Sequence, residues 1–73
     1  MEQQKSMKIW ATFGRSDGSG RWRLQSLSVL SAERARALAE REQVRAGRGP
    51  MDLIVRSYES IYDVPWVLES LDD

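Results

Sequence analysis

Apolar and polar positions alternate from Met7 to Phe13, with Met7, Ile9, Ala11 and Phe13 set against Lys8, Trp10 and Thr12. A period of two predicts a strand with one buried face. The glycine-rich stretch Gly14 to Gly20 follows, with Asp17-Gly18 at its centre. Asp-Gly suits a type I′ turn, whose two central residues take positive φ. A turn there pairs Phe13 with Trp22, Ala11 with Leu24 and Ile9 with Ser26. Met7, Ile9, Ala11, Phe13, Trp22 and Leu24 then share one face, and Trp10 shares the other with Thr12, Arg23 and Gln25. A slip of one residue would set Arg23 opposite Phe13 and exchange the faces of the second strand.

After Leu24 the phase changes to Leu27, Val29 and Leu30, which predicts a bulge near Gln25-Ser26 or the end of the strand. Ser31-Ala-Glu has the form of a helix N-cap with an acid in the first turn. The helix is expected to run to about Ala46 and stop at Gly47, with Gly49-Pro50 barring a restart. Its apolar stripe is Ala32, Ala35, Leu38, Ala39 and Ala46, thin enough that the helix must lie close to the sheet, with Phe13 and Trp22 supplying bulk. Met51 to Tyr58 forms a third strand, with Leu53 and Val55 on one face and Ile54, Arg56 and Tyr58 on the other. A right-handed crossover through the helix places this strand beside the first.

The tail admits two readings. Val64, Val67, Leu68 and Leu71 have helical spacing, with Asp63 as cap and Pro65 early in the first turn. A fourth strand from Trp66 to Ser70 is the alternative. The expected fold class is therefore α+β: a β-β-α-β antiparallel sheet of order 2-1-3, one helix on one face, and a short C-terminal helix or fourth strand.

Length changes this picture little, since 73 residues make one domain, 1–73. Residues 1–6 are expected to be disordered and residues 72–73 to form a frayed acidic end. Composition removes much chemistry. The chain has no cysteine and no histidine, so disulfides and the usual thiolate or imidazole zinc sites are impossible. Thiol nucleophiles and histidine bases go with them. No catalytic motif appears, so we expect no enzyme, no cofactor and no metal. The start lacks a signal-peptide pattern and no run of about 18 apolar residues occurs. The expected location is the cytoplasm, with no membrane partner.

The formal charge is zero, but residues 1–48 hold ten Lys/Arg against five Asp/Glu, whereas residues 49–73 hold one, Arg56, against six acids. Halves of opposite sign suit either a polar partner or mutual screening within the chain.

Four surfaces are candidates for binding. Trp10, flanked by Thr12, Arg23, Arg56, Ile54 and Tyr58, would make an aromatic and guanidinium sheet face fit for bases or a protein hot spot. The competing possibility is that Val64, Trp66 and Leu68 fold over it. The hairpin tip, with Arg15, Arg21, Trp22 and Arg23, could enter a nucleic-acid groove or be a plain solvated turn. Arg34, Arg41 and Arg45 form a basic helix flank, which could grip an acidic surface or face solvent. The segment from Ile61 to Asp73 interleaves acids with Trp66 and Leu68, as docking peptides do, or else closes the core.

Arginine outnumbers lysine nine to two, which suits a GC-rich bacterial or phage genome. With that bias, its size and its Trp/Arg surface, the chain resembles small phage-encoded host-takeover proteins. It is similar in size and make-up to the regulators that lytic phages of xanthomonads direct at host RNA polymerase. The resemblance implies a protein of the host cytoplasm that binds polymerase subunits, interferes with σ-dependent promoter recognition and alters termination; a monomer is expected. Anti-CRISPR-type inhibitors share the same description. A nucleic-acid-binding module using Trp10 and Arg23 is a further alternative, and so is a subunit whose open sheet edge pairs with another protomer.

Overall fold

The computed structural model describes residues 8–16, 20–47 and 51–69. Strands β1 (Ile9–Ser16) and β2 (Trp22–Ser28) lead into helix α1 (Ala32–Arg45), followed by β3 (Met51–Tyr58). A short 3-10 helix, Ile61–Asp63, and the two-residue β4 (Val67–Leu68) complete the chain. The sheet is antiparallel with order β3-β1-β2-β4. The molecule is thus α+β, and the expected 2-1-3 order holds with β4 added outside β2. The Asp17-Gly18 turn, the Gly49-Pro50 stop, residues 1–6 and residues 72–73 lie outside the described residues.

The β1–β2 register differs from the expected one. Phe13 faces Leu24, not Trp22, and Ala11 faces Leu27, not Leu24. Thr12 faces Ser26, so Gln25 is the extra residue of a bulge, at the place the phase change indicated. The displacement at Phe13 is two residues, an even number, so Trp22 and Leu24 keep the face shared with Ala11 and Phe13. The bulge then lets Leu27 join them. Ala11, Phe13, Trp22 and Leu68 form a buried cluster, with Leu24, Leu27, Ile54, Tyr58 and Val64 packed against it.

Helix α1 begins and ends as the sequence indicates. The Ser31 hydroxyl accepts from the Arg34 backbone N–H, and Gly47 takes φ +69° just past the Ala46 C-cap. Its side of the sheet is the surprise. The Ser26 hydroxyl donates to the Ala35 carbonyl, and Ser26 shares its face with Thr12. The helix therefore covers the Trp10–Thr12–Gly14 face rather than the Phe13–Trp22 face. A helix whose buried residues are Ala35 and Ala39 has no bulk to span a gap. It needs small residues beneath it, and Thr12, Gly14, Ser26 and Ser28 are small. Phe13 and Trp22 are too bulky for that contact and are covered by the tail instead.

The tail resolves in favour of the strand. Val64 is extended (φ −78°, ψ 118°), as a residue before proline should be, because the Pro65 ring clashes with a helical neighbour. The expected helix from Val64 is blocked at its first residue. The cap is Ser60, whose hydroxyl accepts from the Tyr62 N–H, and not Asp63. The chain then pairs with β2, Trp22 opposite Leu68 and Arg23 opposite Val67.

Candidate interaction surface

The sheet-face candidate does not survive as an assembly. Ile54 faces Phe13 and Tyr58 faces Ile9 across β1, so Ile54, Arg56 and Tyr58 lie opposite the face of Trp10, Thr12 and Arg23. Both faces of β3 are apolar, and alternation alone could not choose its phase. Trp10 itself is half-buried on the helix side, so α1 covers its face and the C-terminal segment does not. Tyr58 meets Phe13 edge to face at 6.4 Å, its hydroxyl buried without a hydrogen-bond partner among the described residues. Of the expected sheet-face set, Trp10, Thr12 and Arg23 thus stay on one face, and Ile54, Arg56 and Tyr58 do not join them.

At the described base of the hairpin, Arg15 spreads its guanidinium over the Trp22 ring, 4.4 Å from the centroid. Its Nε approaches Asp52 Oδ2 at 3.8 Å, an ion pair too long for a hydrogen bond. Cation and ring attract through the ring quadrupole, by about 0.5–1 kcal/mol at exposed sites. Arg21 is exposed and lies 3.5 Å from Glu69. That contact links the basic half of the chain to its acidic tail, though with both side chains open to solvent it contributes little. Arg23 is exposed on β2.

The helix flank remains open. Arg34, Arg41 and Arg45 are exposed, and Arg45 pairs with Glu42 at 3.1 Å within the helix. Arg41, Arg45 and Leu38 also wall a recess that reaches Ser26 on β2. Arg56 is half-buried on β3.

The largest apolar groups left in water lie elsewhere. Tyr62 is 94% and Trp66 79% exposed, with Ile61 beside them. Together with Leu24, Leu27 and Val64 they line a groove of about 410 Å³ between β2 and the C-terminal segment. The Leu24 N–H donates to the Trp66 carbonyl at 2.9 Å, which pins the backbone while the indole stays outside. Trp66 was expected to project outward from a helix; it does so from an extended segment held by the edge of β2. A water-exposed indole and phenol on one short segment are costly in solvent and well suited to a partner. Ile61, Tyr62 and Val64 belong to the Ile61–Asp73 segment that the sequence offers as a docking peptide, whereas Leu24 and Leu27, on β2, are not indicated as binding residues by sequence. The signal for the segment is the apolar run around Val64-Pro65, for which closing the core is the other reading.

Among the described residues no helix is long and apolar enough to cross a membrane. Comparison with protein-family models, with curated proteins and with solved structures finds no match. What defines the chain is therefore its own fold and surface: a small α+β domain with an aromatic ridge beside its shortest strand.

Proposed function

We propose that this domain is a protein-binding inhibitor that docks through the Trp66–Tyr62 ridge, with Ile61, Leu24, Leu27 and Val64 forming the groove behind it. The observation that carries the reading is the exposure of two aromatic side chains, Trp66 on backbone bonded to β2 and Tyr62 on the 3-10 turn capped by Ser60. Aromatic anchors on rigid backbone supply large contact area at low cost in conformational entropy, and they dominate binding energies where they occur. The exposed arginines of α1 add positive charge that steers the domain toward an acidic surface.

The partner we propose is bacterial RNA polymerase, on the strength of the resemblance in size and arginine-rich make-up to phage regulators of transcription. Inhibition is steric: the domain occupies a polymerase surface needed for promoter recognition, in the host cytoplasm, and no bond is made or broken. No catalytic residue, metal or cofactor enters this reading.

Purified polymerase titrated against the labelled chain tests it. Trp66→Ala and Tyr62→Ala should each weaken binding by about tenfold or more, the scale of a hot-spot truncation. Trp10→Phe, under the helix, should leave affinity within about threefold, because shape-conserving changes away from a contact matter little. Binding indifferent to both aromatic truncations refutes the site. No binding of the native chain at about 50 mM salt, where electrostatic attraction is less screened than at physiological ionic strength, refutes the partner.

A further inference from the structure

The outer edge of β3 is the longest unguarded feature of the fold. β3 has eight residues, Met51–Tyr58, and ends the sheet. Among the described residues no strand flanks it on the outside. An open edge of this length is a template for pairing with another chain. Such edges are commonly protected by proline, a bulge or charged side chains, lysine above all. The two charges of β3, Asp52 and Arg56, are of opposite sign and so can pair with each other across a two-fold axis. Within Met51–Tyr58 there is no proline and no lysine, and β3 pairs with β1 residue for residue without a bulge.

We propose that the partner of this edge is a second copy of the chain, paired antiparallel about a two-fold axis at Ile54. A two-fold pairing of antiparallel strands must set one residue opposite itself, so only a few registers are allowed. With Ile54 at the axis, Asp52 faces Arg56 of the other copy, and the same contact recurs by symmetry. Leu53 faces Val55 twice on the helix side, and Met51 faces Ser57. Moving the axis to Val55 sets Asp52 opposite Tyr58, and moving it to Leu53 sets Asp52 opposite Ile54. Of the three, only the Ile54 register joins opposite charges.

Asp52, Ile54 and Arg56 occupy one face of β3, the face of Phe13 and Arg15. Asp52 is exposed and stands 3.8 Å from Arg15, so in the pair its carboxylate lies between two guanidinium groups. Arg56 already takes part in a contact within its own chain; the pairing adds a carboxylate directly across from it. Opposite charges facing each other across strands stabilise a pair, and like charges destabilise it by a similar amount. The contact forms one continuous eight-stranded sheet from two four-stranded ones. It lies at the other edge of the sheet from β4 and Trp66, so it stands or falls independently of the polymerase reading. Sequence analysis leaves both a monomer and edge pairing open; the position of β3 at the edge of the sheet and the Asp52–Arg56 match select the pairing.

Sedimentation equilibrium from about 10 µM to about 1 mM, a range suited to a small interface, reads the outcome. The native chain should dimerise within it. Arg56→Asp, which leaves the Arg15–Asp52 pair in place, should weaken the dimer about tenfold. The double reversal Asp52→Arg with Arg56→Asp should recover part of that loss and not all of it, because the new guanidinium then stands beside Arg15. Far-UV circular dichroism checks that each variant folds. Because the chain has no cysteine, a second measurement reads the register directly: Ile54→Cys should cross-link to itself under mild oxidation, and Ser57→Cys, about 20 Å from its symmetry mate, should not. A monomer throughout the range, a dimer indifferent to charge reversal, or equal cross-linking at both positions would overturn the proposal.

Discussion

Thr12 lies between sheet and helix with no exposed surface, and its hydroxyl has no partner among the described residues. A buried hydroxyl that has given up water without a replacement destabilises the fold. Thr12→Val keeps the shape and the β-branched strand preference while removing the orphaned group, so it should stabilise the protein by about 1 kcal/mol in urea denaturation. Gly14, two residues on, is constrained from the other direction. A Cβ there would lie 3.0 Å from Leu53 Cδ2, 3.2 Å from Gln25 Cγ and 3.3 Å from Met51 Cε. Three neighbours would have to yield at once, and Gly14→Ala should cost about 1 kcal/mol, the low end for overpacking. No pattern of residue types announces these constraints. They arise from the bulge at Gln25 and from β3 lying alongside, which are long-range facts.

At the scale of elements, what could be read locally was read correctly. Ser31 and Gly47 mark the ends of α1 through short-range capping chemistry. Ala35 and Ala39 of the expected stripe are buried while Ala46 is exposed, and the phase change after Leu24 marks the bulge. Ser31→Ala should therefore lower stability by about 1 kcal/mol, the usual loss for a removed N-cap, seen as a drop in denaturation midpoint at unchanged slope. The elements misread are those decided by distant contacts. The β1–β2 register depends on the bulge at Gln25, which belongs to the pairing of two strands and not to either alone. The face covered by α1 depends on matching a thin alanine stripe to small sheet residues. The phase of β3 was ambiguous because both its faces are apolar. For the tail, helical spacing from Val64 to Leu71 competed with one steric fact, the effect of Pro65 on Val64, and the steric fact prevailed. The candidate site follows the same division. Trp66, the Ile61–Asp73 segment and the exposed arginines are legible, but the groove with Leu24 and Leu27 is not, since it exists only once the tail lies along β2.

For the whole molecule, the sheet separates two environments with different uses. One face carries α1 over small residues and half-buries Trp10. The other carries the Phe13–Trp22–Leu68 cluster and, at its margin, the exposed aromatic ridge. The opposed charges of the two halves meet at Arg15–Asp52 and Arg21–Glu69, so part of the asymmetry is spent within the chain. The arginines of α1 remain on the outside. The three tryptophans report these environments separately: Trp22 is 5% exposed and Trp66 79%, with Trp10 between them.

Hydroxyl-radical footprinting of the free chain and of its complex with RNA polymerase, read by mass spectrometry at each tryptophan, tests the central claim most directly. Trp66 should oxidise fastest in the free protein and be strongly protected in the complex, with Trp10 and Trp22 unchanged. Protection at Trp10 with Trp66 still reactive would contradict the account.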